Sequence, residues 1–102
     1  MGLTIYLEGE RGQFQASAED PTNILHRILP SPEDSSFILL RFIDWYGDTV
    51  FNGLQMPTFI REWEEVMKKT NDETELALLR QVREMAERCG SEVHMYLKFY
   101  GD

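Results

Sequence analysis

The sequence predicts an α+β fold: a single domain over residues 1–102, with a four- to five-stranded antiparallel or mixed sheet and an antiparallel helix pair, 57–69 and 72–89, on one of its faces. Three observations carry this. Apolar and polar residues alternate near both ends of the chain, with Leu3, Ile5 and Leu7 on one side of the first stretch and Val93, Met95, Leu97 and Phe99 on one side of the last, the period of a half-buried strand. Two stretches in the second half repeat apolar residues every three to four positions, the period of an amphipathic helix. Only Thr70 and Asn71 separate those stretches, and so short a link makes them antiparallel neighbours.

Taken in order, Thr4, Tyr6 and Glu8 form the outer side of the first strand. Gly9-Glu10-Arg11-Gly12 reads as a turn, and Gln13 to Ala18 alternates again with Phe14 and Ala16 inward, so a hairpin is the economical reading. Glu19-Asp20-Pro21 ends that unit, and Thr22 or Asn23 is placed to cap a short helix carrying Ile24, Leu25, Ile28 and Leu29. Residues 30–36, PSPEDSS, are the clearest loop and the best place for mobility. Phe37 to Ile43 is apolar on both sides except at Arg41, which fits a central strand covered on both faces. Tyr46-Gly47-Asp48 reads as a turn before the short run Thr49-Val50-Phe51, and Asn52-Gly53 either turns a hairpin or lies in an irregular loop.

Pro57 suits the first turn of a helix that turns Phe59, Ile60, Trp63, Val66 and Met67 inward. Glu62 falls on the opposite, charged side, where Glu64–Lys68 and Glu65–Lys69 have the favourable i,i+4 order. Asp72 with Glu75 resembles a capping box for the next helix, whose inward residues are Leu76, Leu79, Val82, Met85, Ala86 and Cys89 and whose expected stop is Gly90. The closing strand, starting at Val93, is expected inside the sheet beside the 37–43 strand.

Eighteen acidic residues against 10 basic ones give a net charge of −8, spread along the chain. A field of that sign repels phosphate backbones and anionic lipid, so nucleic-acid and membrane binding are excluded as defaults, and a basic protein partner is favoured. The same charge also serves plain solubility. Cys89 is the lone cysteine, so no internal disulfide forms and a cytoplasmic setting is natural. No apolar run is long enough to span a bilayer, and MGLTIYLEGE lacks the basic and apolar regions of a signal peptide.

Chemistry concentrates between Asp44 and Asn52. Asp44, Asp48 and Asn52 are spaced by four, and oxygen ligands in one loop suit Mg²⁺ or Ca²⁺, although the spacing matches no EF-hand. Two carboxylates could also share acid–base work if burial drew their pKa values apart. Against this, Asp, Asn and Gly are turn residues whose side chains bond nearby amides, and that reading outweighs the metal one. His94 becomes a base only with a carboxylate beside it, Asp44 if their strands are neighbours; a packed or edge histidine weighs more. His26 reads as a surface residue. Cys89 faces the negative end of a helix dipole, which disfavours a thiolate and suits a core position. No phosphate loop, nucleophile elbow or zinc helix is present, so no catalytic residue and no cofactor are assigned. Trp45, Tyr46, Tyr96 and Tyr100 could gather at one end of the sheet as a protein-binding patch.

The stretch FIDWYGDTVFNGLQ, together with the ending YLKFYGD, resembles a group of small, functionally uncharacterised bacterial proteins. Those carry an Asp-x-Tyr-Gly-Asp-Thr-x-Phe-Asn stretch, two helices and a closing Tyr-Leu-Lys-Phe-x-Gly-Asp strand, often with Pro where this chain has Trp45. The likeness begins near Phe37 and implies a bacterial, cytoplasmic, single-domain protein, with no activity attached. In size and charge the chain is also similar to immunity proteins that neutralise toxins, an analogy resting on no shared motif.

The leading expectation is therefore an acidic protein-binding module, an immunity or inhibitor protein for a basic toxin or enzyme, anchored by Asp44, Trp45, Tyr46, Asp48 and Asn52. The alternative is a small metal-dependent enzyme or ligand sensor using Asp44, Asp48 and His94. A self-associating structural module is the third.

Overall fold

The computed structural model describes residues 2–101. Strands β1 (Thr4–Gly9) and β2 (Phe14–Glu19) are followed by helix α1 (Ile24–Ile28) and a 3-10 turn at Leu40–Phe42. Then come β3 (Asp48–Asn52), a second 3-10 turn (Gly53–Gln55), helices α2 (Met56–Lys68) and α3 (Glu73–Ser91), and β4 (Met95–Tyr100). The fold is α+β, with the strands in one antiparallel sheet ordered β2-β1-β4-β3. The radius of gyration, 12.6 Å, is close to the about 13 Å of a compact chain this long.

Direct cross-strand partners share a side of the sheet. Ile5 opposite Phe99 and Leu7 opposite Leu97 are fully buried. Phe59 and Trp63 of α2 meet Phe99 at ring separations of 6.0 and 6.2 Å, and Phe51 of β3 lies 5.2 Å from Phe59. Helix α3 touches α2 where Trp63 Nε1 donates to the Leu79 carbonyl at 2.8 Å, and it also contacts β1, β2 and β4. One sheet side is thus core.

The hairpin forms as its alternation predicts, but Phe14 does not point inward. A bulge shifts the β1–β2 register between Leu7 and Glu8, so Phe14 opposes Glu8 and shares its side, while Ala16 opposes Leu7. The cap of α1 is also displaced. Asn23 stands at the cap position with φ 60° and no side-chain bond, and the buried Asp20 carboxylate accepts from Ile24 and Leu25 N–H instead, each at 2.8 Å. The 30–36 loop is a series of turns in which Asp34 accepts from both the N–H and the hydroxyl of Ser36, bonds that hold its carboxyl below the usual range.

The expected central strand at 37–43 is not a strand. Phe37, Leu40 and Ile43 are buried while Ile38 and Phe42 are exposed, a period of three rather than two. The cause is Glu62, assigned from sequence to the charged side of α2 but only 6% exposed. Its carboxylate accepts from the N–H groups of Ile38, Leu39 and Leu40, the last two at 3.1 Å. Three successive N–H groups turned toward one anion impose helical curvature on the segment.

Helix α2 starts and ends within a residue of expectation, with Pro57 in its first turn. The expected Glu64–Lys68 and Glu65–Lys69 pairs give way to Glu65–Lys68 at 3.0 Å and to a Glu64–Arg83 bridge onto α3. Asp72 accepts from Glu75 N–H at 3.1 Å and starts α3, which runs through Gly90 to Ser91 rather than stopping at Gly90. A Cβ at Gly90 would lie 3.1 Å from Met56 Cβ, so this glycine serves close helix approach. Asn52-Gly53 turns no hairpin: Asn52 and Gln55 cap the second 3-10 turn reciprocally. The last strand lies inside the sheet as expected, but between β1 and β3, and it begins at Met95.

Candidate functional site

The other side of the sheet carries the outward alternate residues: Tyr6 and Glu8 of β1, Tyr96, Lys98 and Tyr100 of β4, and Asp48, Val50 and Asn52 of β3, joined by Phe14 across the bulge. This side meets solvent, with Phe14 65% and Val50 51% exposed. Tyr6 stacks on Phe14 at 4.4 Å and 14° and meets Tyr100 edge-on at 5.4 Å. Aromatic rings in such a row give a rigid, amphipathic surface.

Beneath the rings lies Glu8, only 3% exposed although it points away from the core. Its carboxylate accepts from Tyr100 Oη at 2.8 Å and from Lys98 Nζ at 2.9 Å. The hydrogen bond to Glu8 holds the Lys98 ammonium above its ordinary pKa. Burial, then the bond to Glu8, pushes the Tyr100 phenol above its own. A phenol so held stays protonated at neutral pH, so the trio fixes the rings in place and offers no ready nucleophile.

The residues singled out from sequence are distributed along β3 and the turn before it. Asp44 is exposed; its carboxylate accepts from Tyr46 N–H at 2.9 Å, and its own N–H donates to Thr49 Oγ1 at 2.9 Å. A Cβ on Gly47 would fall 2.8 Å from Asp44 Oδ2, so any larger residue there would push the Asp44 carboxylate aside. Asn52 accepts from Gln55 N–H at 3.2 Å. Asp44 and Asn52 thus shape turns. Trp45 is half-buried, packed on the core with its ring 4.7 Å from that of the exposed His26, while Tyr46 is 77% exposed. Asp48 opposes Tyr100 and raises its pKa slightly further. The expected cluster of Trp45, Tyr46, Tyr96 and Tyr100 divides, because Tyr100 joins Tyr6 and Phe14 while Tyr96 opposes Asn52 at the far end of β3. The loop and the chain ending do meet: Gly101 N–H donates to the Gly47 carbonyl at 2.8 Å, and a Cβ on Gly101 would collide with the Trp45 carbonyl.

His94 is not on a strand. It stands in the turn before β4 with φ 58°, its Nδ1 3.5 Å from Glu10 Oε2. Asp48 and Asn52 mark opposite ends of β3, roughly 14 Å apart at strand rise, and His94 lies beyond the Asn52 end. Asp44 and Asp48 are therefore separated from His94, and among the described residues no group of three or more His, Cys, Asp or Glu is arranged to hold a metal ion. Cys89 is fully buried, donates to the Met95 carbonyl at 3.5 Å, and is pushed up to about 11 by burial. Among the described residues no helix is long and apolar enough to cross a membrane.

Tyr6, Glu8, Phe14 and Lys98 were not singled out from sequence. The alternation of both strands placed Tyr6, Glu8 and Lys98 outward, but nothing in it says that β1 and β4 lie side by side.

Fold and site together define a small α+β protein with one sheet side in its core and one aromatic side in solvent. No family model matches the chain, and neither a curated protein nor a solved structure does.

Proposed function

We propose that this chain is an acidic protein-binding module of the immunity or inhibitor kind, which engages a basic toxin or enzyme through the solvent-facing side of its sheet. The observation that carries this reading is an aromatic row, Phe14–Tyr6–Tyr100, ordered by a buried carboxylate and flanked by Asp48 and Glu19. Aromatic anchors within a charged rim are the usual anatomy of a protein interface. The net charge of −8 adds long-range steering toward a basic surface. Asp48 and Asn52 continue the surface along β3, and Asp44, Trp45 and Tyr46 join the reading from the turn before it, where Tyr46 is the exposed ring. With it goes the reading of α2 and α3 as an antiparallel pair over the core side, supported by the Trp63–Leu79 and Glu64–Arg83 contacts, which leaves the aromatic side to a partner. The metal-dependent alternative loses support from the distance between His94 and the two aspartates.

Charge reversal tests it. Asp44→Lys would also remove the acceptor that forms its turn, so the informative pair is Asp48→Lys with Glu19→Lys, both exposed. Partner association is expected to slow tenfold or more at low salt, with the difference shrinking as salt rises and the fold intact by circular dichroism. An unchanged association rate would remove the acidic rim from the account.

A further inference from the structure

The β2 edge of the sheet has a built place for another strand. Asp20 N–H donates to the Leu3 carbonyl at 3.1 Å, so in the alternation of an antiparallel ladder residues 16, 18 and 20 bond toward β1 while Ser17 and Glu19 turn N–H and C=O out of the sheet. Helix α3 runs past this edge, and a groove of about 660 Å³ opens between them. Ala16 and Met85 line it with Gln81, Glu84, Glu87 and Arg88. From Gln81 to Ser91 the helix advances roughly 15 Å, the length of about four or five extended residues. Gln81 Nε2 donates to the Ser17 carbonyl at 3.1 Å, a side-chain amide standing where the N–H of a neighbouring strand would be. Arg88 is engaged by Glu92 at 3.2 Å, and Arg83, 3.9 Å from Glu87, lies nearer to Glu64 at 2.5 Å, which leaves the groove acidic through Glu84 and Glu87.

We propose that this groove receives an extended, basic protein segment as a further strand on β2, paired to Ser17 and Glu19 once Gln81 yields the Ser17 carbonyl, with those alternate side chains that face α3 apolar over Ala16 and Met85 and lysine or arginine beside Glu84 and Glu87. Backbone pairing supplies the register and the acids select the occupant. This site is separate from the aromatic side of the sheet, and either can fail without the other.

The test titrates the isotope-labelled full chain with a blocked hexapeptide that carries lysine and valine on one face of the strand and threonine on the other, following amide shifts and hydrogen exchange. Shifts along β2 and residues 81–91, with exchange at Ser17 and Glu19 slowed tenfold or more, are expected. A glutamate–valine peptide, and the lysine–valine peptide methylated on alternate amide nitrogens, should slow neither. Ser17→Pro removes an outward N–H without touching the β1 ladder and should abolish the slowing; if that variant does not fold, the methylated peptide decides. Equal protection by the methylated peptide would overturn the proposal. So would shifts centred on Tyr6 and Val50, or protection of Ser17 and Glu19 that grows with protein concentration alone and marks a second copy at the edge.

Discussion

Buried carboxylates organise this protein. Asp20, Glu8 and Glu62 are 2%, 3% and 6% exposed, and each is surrounded by donors from another element. Hydrogen bonds to a charged acceptor are stronger than neutral ones, and the donors orphaned by losing it are costly. Glu62→Ala is expected to lower the unfolding free energy by about 2–3 kcal/mol, read as a lower urea midpoint, because three N–H groups lose their acceptor. Glu62→Gln, which keeps one acceptor, should lose less. The Glu8 trio has a pH signature. Lys98 and Tyr100 both have folded pKa values above their ordinary ones, so the stability they add is complete below about pH 10 and is lost as pH rises through the raised values. A urea series should show stability falling above about pH 10, with a shallower fall in Glu8→Gln. None of this was legible residue by residue, since an acid on a strand's outer side or a helix's charged side reads as solvated surface until the segment packed over it is known.

Elements with a period of their own were legible, the short helix at Ile24–Ile28 and the β1–β2 hairpin among them; runs without one were not. Helices α2 and α3 follow from their apolar spacing and from Pro57 and Asp72, and β1 and β4 follow from strict alternation over six residues. Removing the α3 cap by Asp72→Ala should cost about 1 kcal/mol in thermal or urea unfolding. The 37–43 run failed because a continuous apolar stretch carries no period of its own, and Glu62, 22 residues beyond Leu40, decides its shape. Phe14 failed because a one-residue bulge lies between it and Ala16, so the alternation that holds from Ala16 onward does not extend back to Phe14. The Asp44–Asn52 stretch was legible as turn chemistry, and Asp44 and Asn52 do shape turns there.

At the scale of the whole molecule, the sheet turns one side to a single apolar core and the other to solvent, in a chain with a net charge of −8. Binding of a basic protein by the aromatic side is tested most directly by Phe14→Ser with Val50→Thr, since both residues are more than half exposed and outside the core, and the main stability change expected is loss of the Phe14–Tyr6 stack, worth about 0.5–1.5 kcal/mol. The measurement is capture from the native cell lysate on immobilised wild type and variant, at low and moderate salt, quantified by mass spectrometry. One basic protein held stoichiometrically by the wild type, released as salt rises and reduced tenfold or more on the variant is the predicted result. A partner held equally by both, or none held stoichiometrically by the wild type, would contradict it.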